Sequence, residues 1–309
     1  MTLLRVTNLT KTYPATGGRR VQALSEVSLE IASGEVLGVV GESGCGKSTL
    51  GRAILRLADP DLGQVVFDGQ DLMTLTRRQM NAVRRNLQVV FQDPFGALNP
   101  RHTVGHILAE PLIVQGIGNR EARVAEVLAL VGLPQNAAAR YPHEFSGGQR
   151  QRIAIARALV LNPKLIVADE AVSALDVSVQ SQILNLIAGL RKRLGLSILF
   201  ISHDLSVIRH VSDRIAVMYL GRIVETGPTE SVIAAPRHPY TQALLSAVPH
   251  LGQRHGRIRL SGEVPDPASP PPGCAFHTRC AQAQGACRIT RPALTRQSDG
   301  SEVACHLHP

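Results

Sequence analysis

A glycine-rich loop joins a predicted strand to a predicted helix near the start of the chain, and it limits the possible folds more than any other feature. The segment EVLGVVG is a nearly continuous apolar run, typical of a strand buried on both faces. The segment KSTLGRAILRL has helical spacing. The loop GESGCGKST, Gly41 to Thr49, fits the pattern G-x-x-x-x-G-K-[ST]. A strand, a glycine-rich turn and a helix in this order predict an α/β sheet.

The loop has the residue types that bind phosphate. Its glycines let the backbone turn tightly and bring N–H groups to phosphate oxygens, and the following helix directs its positive end at them. Lys47 supplies a charge for the β- and γ-phosphates, and Ser48 offers a hydroxyl to Mg²⁺. A chance lysine in a glycine-rich turn is the alternative, and the flanking strand and helix argue against it. The predicted nucleotide-binding residues here are Gly41, Ser43, Gly44, Cys45, Gly46, Lys47, Ser48 and Thr49.

A second apolar strand ends in two carboxylates. In KLIVADE, Leu165–Ala168 predict a buried strand, and Asp169 and Glu170 follow it. Asp169 can hold Mg²⁺ through water, and Glu170 can orient or deprotonate a water in line with the γ-phosphate. Alone, the segment is also compatible with a strand that ends in solvated acids. Together with the phosphate loop it predicts a nucleoside triphosphatase of the P-loop kind that uses Mg²⁺.

Amino-acid composition and net charge indicate which kind of protein this is and which partners it favours. The hydrophobic fraction is 44% and the charged fraction 18% over 309 residues, which indicates a globular chain. The net charge of +9 favours acidic partners or reflects basic surface residues, whereas 3% aromatic residues argue against base stacking. No apolar run approaches the roughly 18–20 residues that span a bilayer, and the N-terminus lacks a signal peptide. We therefore expect a cytoplasmic chain.

Sequence patterns predict two domains. Helical periodicity in TVGHILAEPLIVQ, REARVAEVLALVGL and GGQRQRIAIARALVL predicts a helical insert, at about 95–160. Strands return in KLIVAD, SILFIS, RIAVMYL and RIVETG, and VSVQSQILNLIAGLRKRLG predicts a helix ended by Gly195. PRHPYTQALLSAVPHL predicts a short helix between prolines, and GEVPDPASPPPG is too proline-rich for a helix or a central strand. We expect a nucleotide-binding domain over 1–235 and a small domain over 236–309.

A second anion site is predicted at the start of another helix. In EFSGGQRQRIAIARAL, Ser146, Gly147 and Gly148 lead into an arginine-rich amphipathic helix. They offer a hydroxyl, unhindered N–H groups and a helix N-terminus. One active site needs only one such cradle. The second therefore predicts contact with a nucleotide held by a partner chain.

With these segments in place, the chain resembles the ATP-binding subunits of ABC transporters. Gly41–Thr49 matches the Walker A loop, Leu165–Glu170 the Walker B strand, and Ser146–Gln149 the family signature. Phe145 stands where many members have Leu. Four more positions match: Gln92 in VVFQDP as the Q-loop glutamine, Ser173–Asp176 in SALD as the D-loop, His203 in ISHD as the switch histidine, and Tyr13 in KTYP as the adenine-stacking aromatic.

The resemblance implies a fold and a mechanism. The implied fold is an ABC ATPase core of the P-loop α/β class, with an antiparallel β subdomain, a helical insert and a small Cys-containing C-terminal domain. Two such chains close head to tail, so that each ATP lies between one Walker loop and the partner's signature. Glu170 would be the general base and His203 would reach the γ-phosphate, with Lys47 as a further catalytic group. The implied Mg²⁺ residues are Ser48, Gln92 and Asp169. The residues facing the partner-bound ATP are Ser146, Gly147, Gly148 and Gln149, and Asp176 is the implied D-loop residue.

Three stretches resemble the oligopeptide, dipeptide and nickel importers within this family. They are QDPFGALNPRHTV, DEAVSALDVSVQ and RHPYTQALLSAVP. The resemblance implies import of di- or oligopeptides at the cytoplasmic face of the inner membrane. Implied partners are a second, related ATPase, two permeases and an external binding protein, and no nucleic acid. Import of nickel, glutathione or antimicrobial peptides is an open alternative, as is a soluble ATPase acting on nucleic acid.

Four of the five cysteines lie near the C-terminus, with the spacing C-x5-C-x6-C-x17-C. Structural zinc favours closer pairs and disulfides are rare in the cytoplasm. A [4Fe–4S] cluster on Cys274, Cys280, Cys287 and Cys305 is the prediction, because it needs four thiolates and the related importer subunits imply it. His277 and His306 are possible substitutes; zinc and plain reduced thiols remain alternatives.

Overall fold

The computed structural model describes residues 1–248 and 258–308. Within these residues the chain forms two units, which are described separately. The first unit consists of Met1, Ala32–Glu35 and Thr74–Ile201. The second consists of Thr2–Ile31, Val36–Met73 and the described part of Ser202–Pro309.

The regular elements are numbered along the chain. The strands are β1 (Thr2–Pro14), β2 (Arg20–Ala32), β3 (Val36–Val40), β4 (Leu62–Phe67), β5 (Gln70–Asp71), β6 (Leu87–Val90), β7 (Leu165–Asp169), β8 (Ser197–Ser202), β9 (Arg214–Tyr219), β10 (Arg222–Pro228), β11 (Thr295–Arg296) and β12 (Glu302–Val303). The α-helices are α1 (Lys47–Ile54), α2 (Arg77–Val83), α3 (Pro94–Ala97), α4 (Val104–Val114), α5 (Arg120–Leu130), α6 (Gly147–Leu159), α7 (Val177–Leu194), α8 (Leu205–Val211), α9 (Thr229–Ala234) and α10 (Pro239–Ser246).

An antiparallel sheet in the second unit has the strand order β2-β1-β4-β5. In β1 and β4, Leu4 pairs with Phe67 and Val6 pairs with Val65. All four side chains are buried, whereas the intervening Arg5 is exposed. Apolar and polar residues alternate in this way because successive side chains of a strand point to opposite faces. The predicted antiparallel β subdomain is confirmed.

The strand that leads into the phosphate loop lies within the same unit. β3 pairs in parallel with β9, from Leu37 opposite Arg214 to Val40 opposite Val217. Every residue of β3 is buried, as its continuous apolar run predicts. The loop therefore starts at the carboxyl end of a fully buried strand.

The end of the chain joins that sheet. β10 pairs antiparallel with β9 and with β12, and β12 pairs with β11. A Cβ atom at Gly227 would lie 2.7 Å from the Cβ of Ser301, so the two backbones approach very closely. Because these strands belong to the unit that carries the phosphate loop, a separate Cys-containing domain is not confirmed.

The first unit contains three parallel strands and the helical insert. β7 pairs with β6 and with β8, so that Ala168 lies opposite both Val90 and Phe200. The helices α4, α5 and α6 follow β6 along the chain and confirm the predicted helical stretches. Arg123 of α5 donates hydrogen bonds to the carbonyls of Leu159 (2.8 Å) and Val160 (2.9 Å). These bonds satisfy acceptors that the end of α6 leaves without helical partners.

The remaining predictions from local patterns also hold within the described residues. α7 ends at Gly195, which adopts a left-handed φ of +65°. α10 is the predicted short helix after Pro236, and its following proline, Pro249, lies outside the described residues. Residues 262–273 form turns and bends with no helix or strand, as their proline content predicts.

His238 is a buried residue that begins α10 with an uncharged imidazole. Its Nδ1 accepts the backbone N–H of Tyr240 (3.1 Å), and the backbone N–H of His238 donates to Glu225 Oε2 (3.0 Å). Burial, together with the nearby His308, lowers the pKa of His238 from 6.5 to about 3. Only an unprotonated Nδ1 can accept the capping bond, so the neutral form fits the helix start.

Acid should therefore destabilise this fold through His238. Its folded-state pKa lies below its unfolded-state value, so its contribution to stability is complete above about pH 6.5 and is lost as the pH falls toward 3. We expect this group alone to lower the free energy of unfolding by up to about 1.4 kcal/mol per pH unit. Urea unfolding from pH 7.5 to 4.5 measures the slope. His238→Asn keeps a capping acceptor without titrating, and an unchanged slope in that variant would contradict the assignment.

Candidate nucleotide site

The phosphate loop, residues 41–49, is a tight turn fixed by backbone hydrogen bonds. Cys45 donates its N–H to the carbonyl of Glu42 (3.3 Å) and accepts the N–H of Gly221 (2.8 Å). Gly44 and Gly46 have φ values of +78° and +106°, which favour glycine. α1 begins directly afterwards at Lys47, so the positive end of its helix dipole lies at the loop.

Two glycines of the loop leave no room for a side chain. A Cβ atom at Gly46 would lie 2.2 Å from the carbonyl oxygen of Ala23, and one at Gly41 would lie 2.1 Å from that of Met218. No packing adjustment relieves contacts this short with backbone atoms. The cradle therefore fits an anion bound by main-chain N–H groups, as the sequence predicts.

Lys47 lies above this loop. Its side chain is 4% exposed, and its Nζ donates to the carbonyls of Gly41 (2.8 Å) and Glu42 (3.0 Å). The ammonium is thus held beside the N–H groups that would receive phosphate. Burial raises the pKa of the Cys45 thiol, so this thiol is an uncharged filler next to the lysine.

In the first unit, the end of β7 brings Glu170 and Gln92 together. Asp169 is the last residue of β7 and is buried, and Glu170 follows with a left-handed φ of +49°. The N–H of Glu170 donates to the carbonyl of Ile201 (2.9 Å). Gln92 Nε2 donates to Glu170 Oε2 (3.1 Å), which orients the carboxylate.

The serine and glycines before α6 form a capped helix start. Ser146 Oγ accepts the N–H of Gln149 (3.4 Å), and Gln149 Oε1 accepts the N–H of Ser146 (3.1 Å), which is a capping box. A Cβ atom at Gly148 would lie 2.4 Å from Cγ1 of Val179 in α7. Gly148 therefore has a packing role that the sequence did not reveal. Phe145, where the family often has Leu, is buried under the Arg140 guanidinium at 4.3 Å from the ring centroid.

Asp176 begins α7 in the same unit. Its Oδ1 accepts the N–H of Val179 (2.9 Å) and the hydroxyl of Ser178 (2.7 Å). The Val179 N–H, followed by the Ser178 hydroxyl, lowers the pKa of Asp176. Asp176 is therefore a charged N-cap of α7.

Tyr13 and His203 lie in the unit that carries the phosphate loop. Tyr13 is half-buried in β1, with the Lys11 ammonium 5.4 Å from its ring centroid. His203 is exposed after β8, and the adjacent Asp204 caps α8 through the N–H of Ser206 (2.8 Å). Gln92, Asp169, Glu170, Ser146 and Asp176 lie in the other unit.

Two protein-family models match the chain. Residues 24–173 match the model described as ABC transporter, and residues 224–287 match the oligopeptide/dipeptide transporter, C-terminal region. A putative peptide import ATP-binding protein of Brucella ovis is 52% identical over 98% of this chain and 97% of its own length. The oligopeptide transport ATP-binding protein AppF of Bacillus subtilis is 50% identical over 99% of this chain and 98% of its own.

The chain belongs to the ATP-binding proteins of ABC transporters. Two solved structures share the fold of this ABC ATPase. A dimeric ATP-binding cassette in a post-hydrolysis state, bound to ADP and Pi, is 32% identical with a TM-score of 0.66, over 73% of this chain and 98% of that one. CbiO1 from Clostridium perfringens is 29% identical with a TM-score of 0.68, over 76% of this chain and 91% of that one. The predicted α/β P-loop fold and ATPase family are confirmed.

The prediction of a [4Fe–4S] cluster in this ABC ATPase is wrong. Across residues 1–248 and 258–308, no group of three or more His, Cys, Asp or Glu side chains is placed to hold a metal ion. The four cysteines are free thiols: Cys274, Cys280, Cys287 and Cys305.

Three of the four thiols lie in surroundings that disfavour their charged form. Burial raises the pKa of Cys274 to about 11 and also raises that of Cys280 and of Cys305. Two nearby histidines bond to backbone: His277 Nδ1 donates to the Cys274 carbonyl (2.9 Å), and His306 Nε2 donates to the Thr290 carbonyl (2.8 Å).

The ABC ATPase has no α-helix among its described residues that is long and apolar enough to cross a bilayer. Sequence reasoning overlooked an ion pair at the phosphate loop, between Glu42 within the loop and Arg279 near the end of the chain (2.7 Å). No periodicity or motif spacing marks them. Tyr240, in the stretch that resembled peptide importers, also contacts Glu42.

Replacement of Gly46 by Ala should destabilise the nucleotide-free ABC ATPase more than replacement of Gly44 by Ala. Both positions have positive φ, but a Cβ atom at Gly44 would meet no atom within 4 Å. The difference therefore isolates the clash with Ala23, which should cost about 1–3 kcal/mol more, as overpacked sites do. Thermal unfolding of the two variants measures it. Equal losses would show that the close approach at Gly46 is not a constraint.

Proposed function

We propose that the chain powers the import of di- or oligopeptides by hydrolysing ATP. The C-terminal match over 224–287 supports this cargo, because that region is described as oligopeptide/dipeptide transporter. Relatives at 50–52% identity over nearly the whole chain are named as peptide or oligopeptide transport ATP-binding proteins. An ABC ATP-binding domain over 1–235 and a C-terminal domain over 236–309 remain the proposed division.

We assign nucleotide binding to the phosphate loop. Lys47 would bind the β- and γ-phosphates in exchange for its bonds to loop carbonyls, and Tyr13 would stack on adenine. Backbone N–H groups would receive the phosphate oxygens, because Gly41 and Gly46 admit no side chain that would block them. The further assigned contacts are Ser43, Gly44, Cys45, Ser48 and Thr49.

Three oxygen-bearing side chains fit Mg²⁺, which prefers oxygen ligands. They are the Ser48 hydroxyl, the Gln92 amide and the buried carboxylate of Asp169. When bound, Mg²⁺ would neutralise charge on the phosphates. Hydroxyl, amide and carboxylate oxygens suit this hard cation better than thiols would.

Glu170 would act as the general base. Gln92 holds Oε2 of its carboxylate, so the group is oriented before the reaction. The carboxylate would take a proton from water as the water oxygen bonds to the γ-phosphorus, and ADP would leave with the electrons of the broken P–O bond. His203 would hold the γ-phosphate in this geometry.

Ser146, Gly147, Gly148 and Gln149 would contact ATP held by a second ATPase chain, with Asp176 beside them. We propose that this second chain is related but different. Two permeases and an external binding protein would complete the importer, with this subunit peripheral on the cytoplasmic face of the inner membrane.

Glu170→Gln should separate binding from hydrolysis. The amide preserves the shape of the side chain but cannot accept the proton of water. We expect ATP affinity to stay within about threefold and turnover to fall by ~10²–10⁴-fold. Equilibrium binding of a fluorescent ATP analogue and phosphate release by the full chain measure the two quantities.

Lys47→Ala is the matched control for that experiment, because it should abolish both binding and hydrolysis. Near-normal phosphate release by Glu170→Gln would contradict the base assignment. Lost ATP binding by Glu170→Gln would contradict it as well, since the role would then be structural.

Peptide uptake should depend on this chain in cells. Cells that lack it should lose uptake of labelled dipeptides or longer peptides and keep nickel uptake. Wild-type chain should restore the loss, whereas Lys47→Ala should not, because it cannot bind the phosphates.

The alternative outcomes each point to another cargo. Loss of nickel uptake would assign the metal, and no loss of either would move the cargo to glutathione or antimicrobial peptides. Binding of DNA or RNA by the purified chain at physiological salt, without any uptake defect, would favour the nucleic-acid alternative.

A further inference from the structure

The C-terminal segment, which means the described residues of 236–309, clamps the phosphate loop at Glu42. Arg279 donates from Nη1 to Glu42 Oε2 (2.7 Å) and from Nη2 to Oε1 (3.0 Å). Two parallel bonds of this kind fix the orientation of a carboxylate as well as its position. The second residue of the phosphate loop is therefore held by a side chain 237 positions further along the chain.

The ion pair is shielded from water. The Arg279 side chain is 7% exposed and that of Glu42 is 27% exposed. The Tyr219 ring lies 6.0 Å from the guanidinium and packs edge-on against Phe276. Because Arg279 is buried and Glu42 is only partly exposed, solvent screens this pair less than it screens an ion pair on the surface.

A second residue of the C-terminal segment holds the backbone of Glu42. The Glu42 N–H donates to the hydroxyl oxygen of Tyr240 (2.8 Å). Tyr240 is fully buried, and its ring centroid lies 4.7 Å from that of Tyr219 and 5.4 Å from that of Phe276. Both the main chain and the side chain of Glu42 are thus fixed by the C-terminal segment.

The charge of Glu42 makes this contact relevant to nucleotide binding. A carboxylate in a loop that binds a polyphosphate repels its ligand unless a cation compensates. Lys47 already bonds the Glu42 carbonyl (3.0 Å), and the adjacent Arg279 neutralises the carboxylate. Without Arg279, the Glu42 carboxylate would be an uncompensated negative charge in the loop and would lose the two hydrogen bonds that hold its side chain.

We propose that Arg279 is a positioning residue for ATP, through which the C-terminal segment sets the affinity of the phosphate loop for nucleotide. This inference rests on the proposed function of the loop in binding ATP. Arg279 acts only through Glu42, by holding it in place and by cancelling its charge. Nucleotide affinity is thereby coupled to the state of the C-terminal segment.

Arg279→Met should weaken binding without slowing the chemistry. A loop that is correctly shaped for only part of the time has an apparent affinity reduced by that fraction, whereas saturating ATP restores it. We expect the dissociation constant and KM for MgATP to rise about 5- to 50-fold, the usual range for coupled sites, with kcat within twofold. Arg279→Lys keeps the charge but loses the planar fork, so an intermediate affinity is expected.

Arg237→Met is the matched control. Arg237 also ion-pairs within the C-terminal segment, with Asp299 (2.6 Å), and its backbone N–H donates to Glu225 (2.8 Å) rather than to the phosphate loop. This variant should lower the unfolding temperature but leave KM for MgATP within twofold. An equal rise of KM in both variants would show a general structural role and overturn the proposal.

The double variant Glu42→Gln/Arg279→Met separates charge from position. It removes the uncompensated carboxylate, so it should bind MgATP more tightly than Arg279→Met alone. The difference between these two variants should shrink at high salt, because screening reduces the repulsion. If Arg279→Met is folded and its KM is unchanged, the proposal is wrong.

The same assay distinguishes this failure from failure of the ATPase assignment. If wild type binds MgATP and Lys47→Ala does not, the loop is a nucleotide site whatever Arg279 does. If wild type itself fails to bind, the proposed function fails first, and the positioning role fails with it.

Discussion

The Ala23 carbonyl lies so close to Gly46 of the phosphate loop that no side chain fits at this position. The neighbouring elements of the same unit contact the loop from several sides. The Ala23 carbonyl comes from β2, and the N–H of Gly221, in the turn between β9 and β10, bonds the Cys45 carbonyl. The loop itself continues from buried β3. Elements from three parts of the sequence thus fix one short turn. A loop that the rest of the protein holds in place loses little conformational entropy when it binds a ligand.

A chain of buried polar contacts extends this support to the C-terminal segment. Glu225 in β10 accepts the N–H groups of Arg237 and His238, and burial raises the pKa of its carboxyl group. His238 in turn begins the helix that carries Tyr240, whose hydroxyl reaches Glu42. Each of these polar groups has a hydrogen-bond partner within the chain of contacts, and such partners offset the cost of burying polar atoms. The segment is part of the architecture of the ATP-binding unit.

The sequence predicted the features that local patterns encode. Apolar runs located β3 and β7, and glycine spacing located the loop before Lys47, since each depends on neighbours within a few residues. It missed the pair of Glu42 and Arg279, because no local pattern links side chains so far apart along the chain. Four cysteines in one segment suggested a cluster. The geometry of side chains in irregular turns is not encoded in their spacing, and the described residues contain no group of three or more side chains that could hold a metal ion.

The contact between Gly148 and Val179 joins two motifs that the sequence presents as separate. Gly148 lies in the first turn of α6, close to its N-cap Ser146. Val179 lies in the first turn of α7, where Asp176 accepts its N–H. Because Gly148 has no side chain, the backbone at the start of α6 packs directly against Val179, and no space remains between the two helix starts. A displacement of one helix start would displace the other. The starts of α6 and α7 should therefore move as one body, so that any contact made with one of them also positions the other.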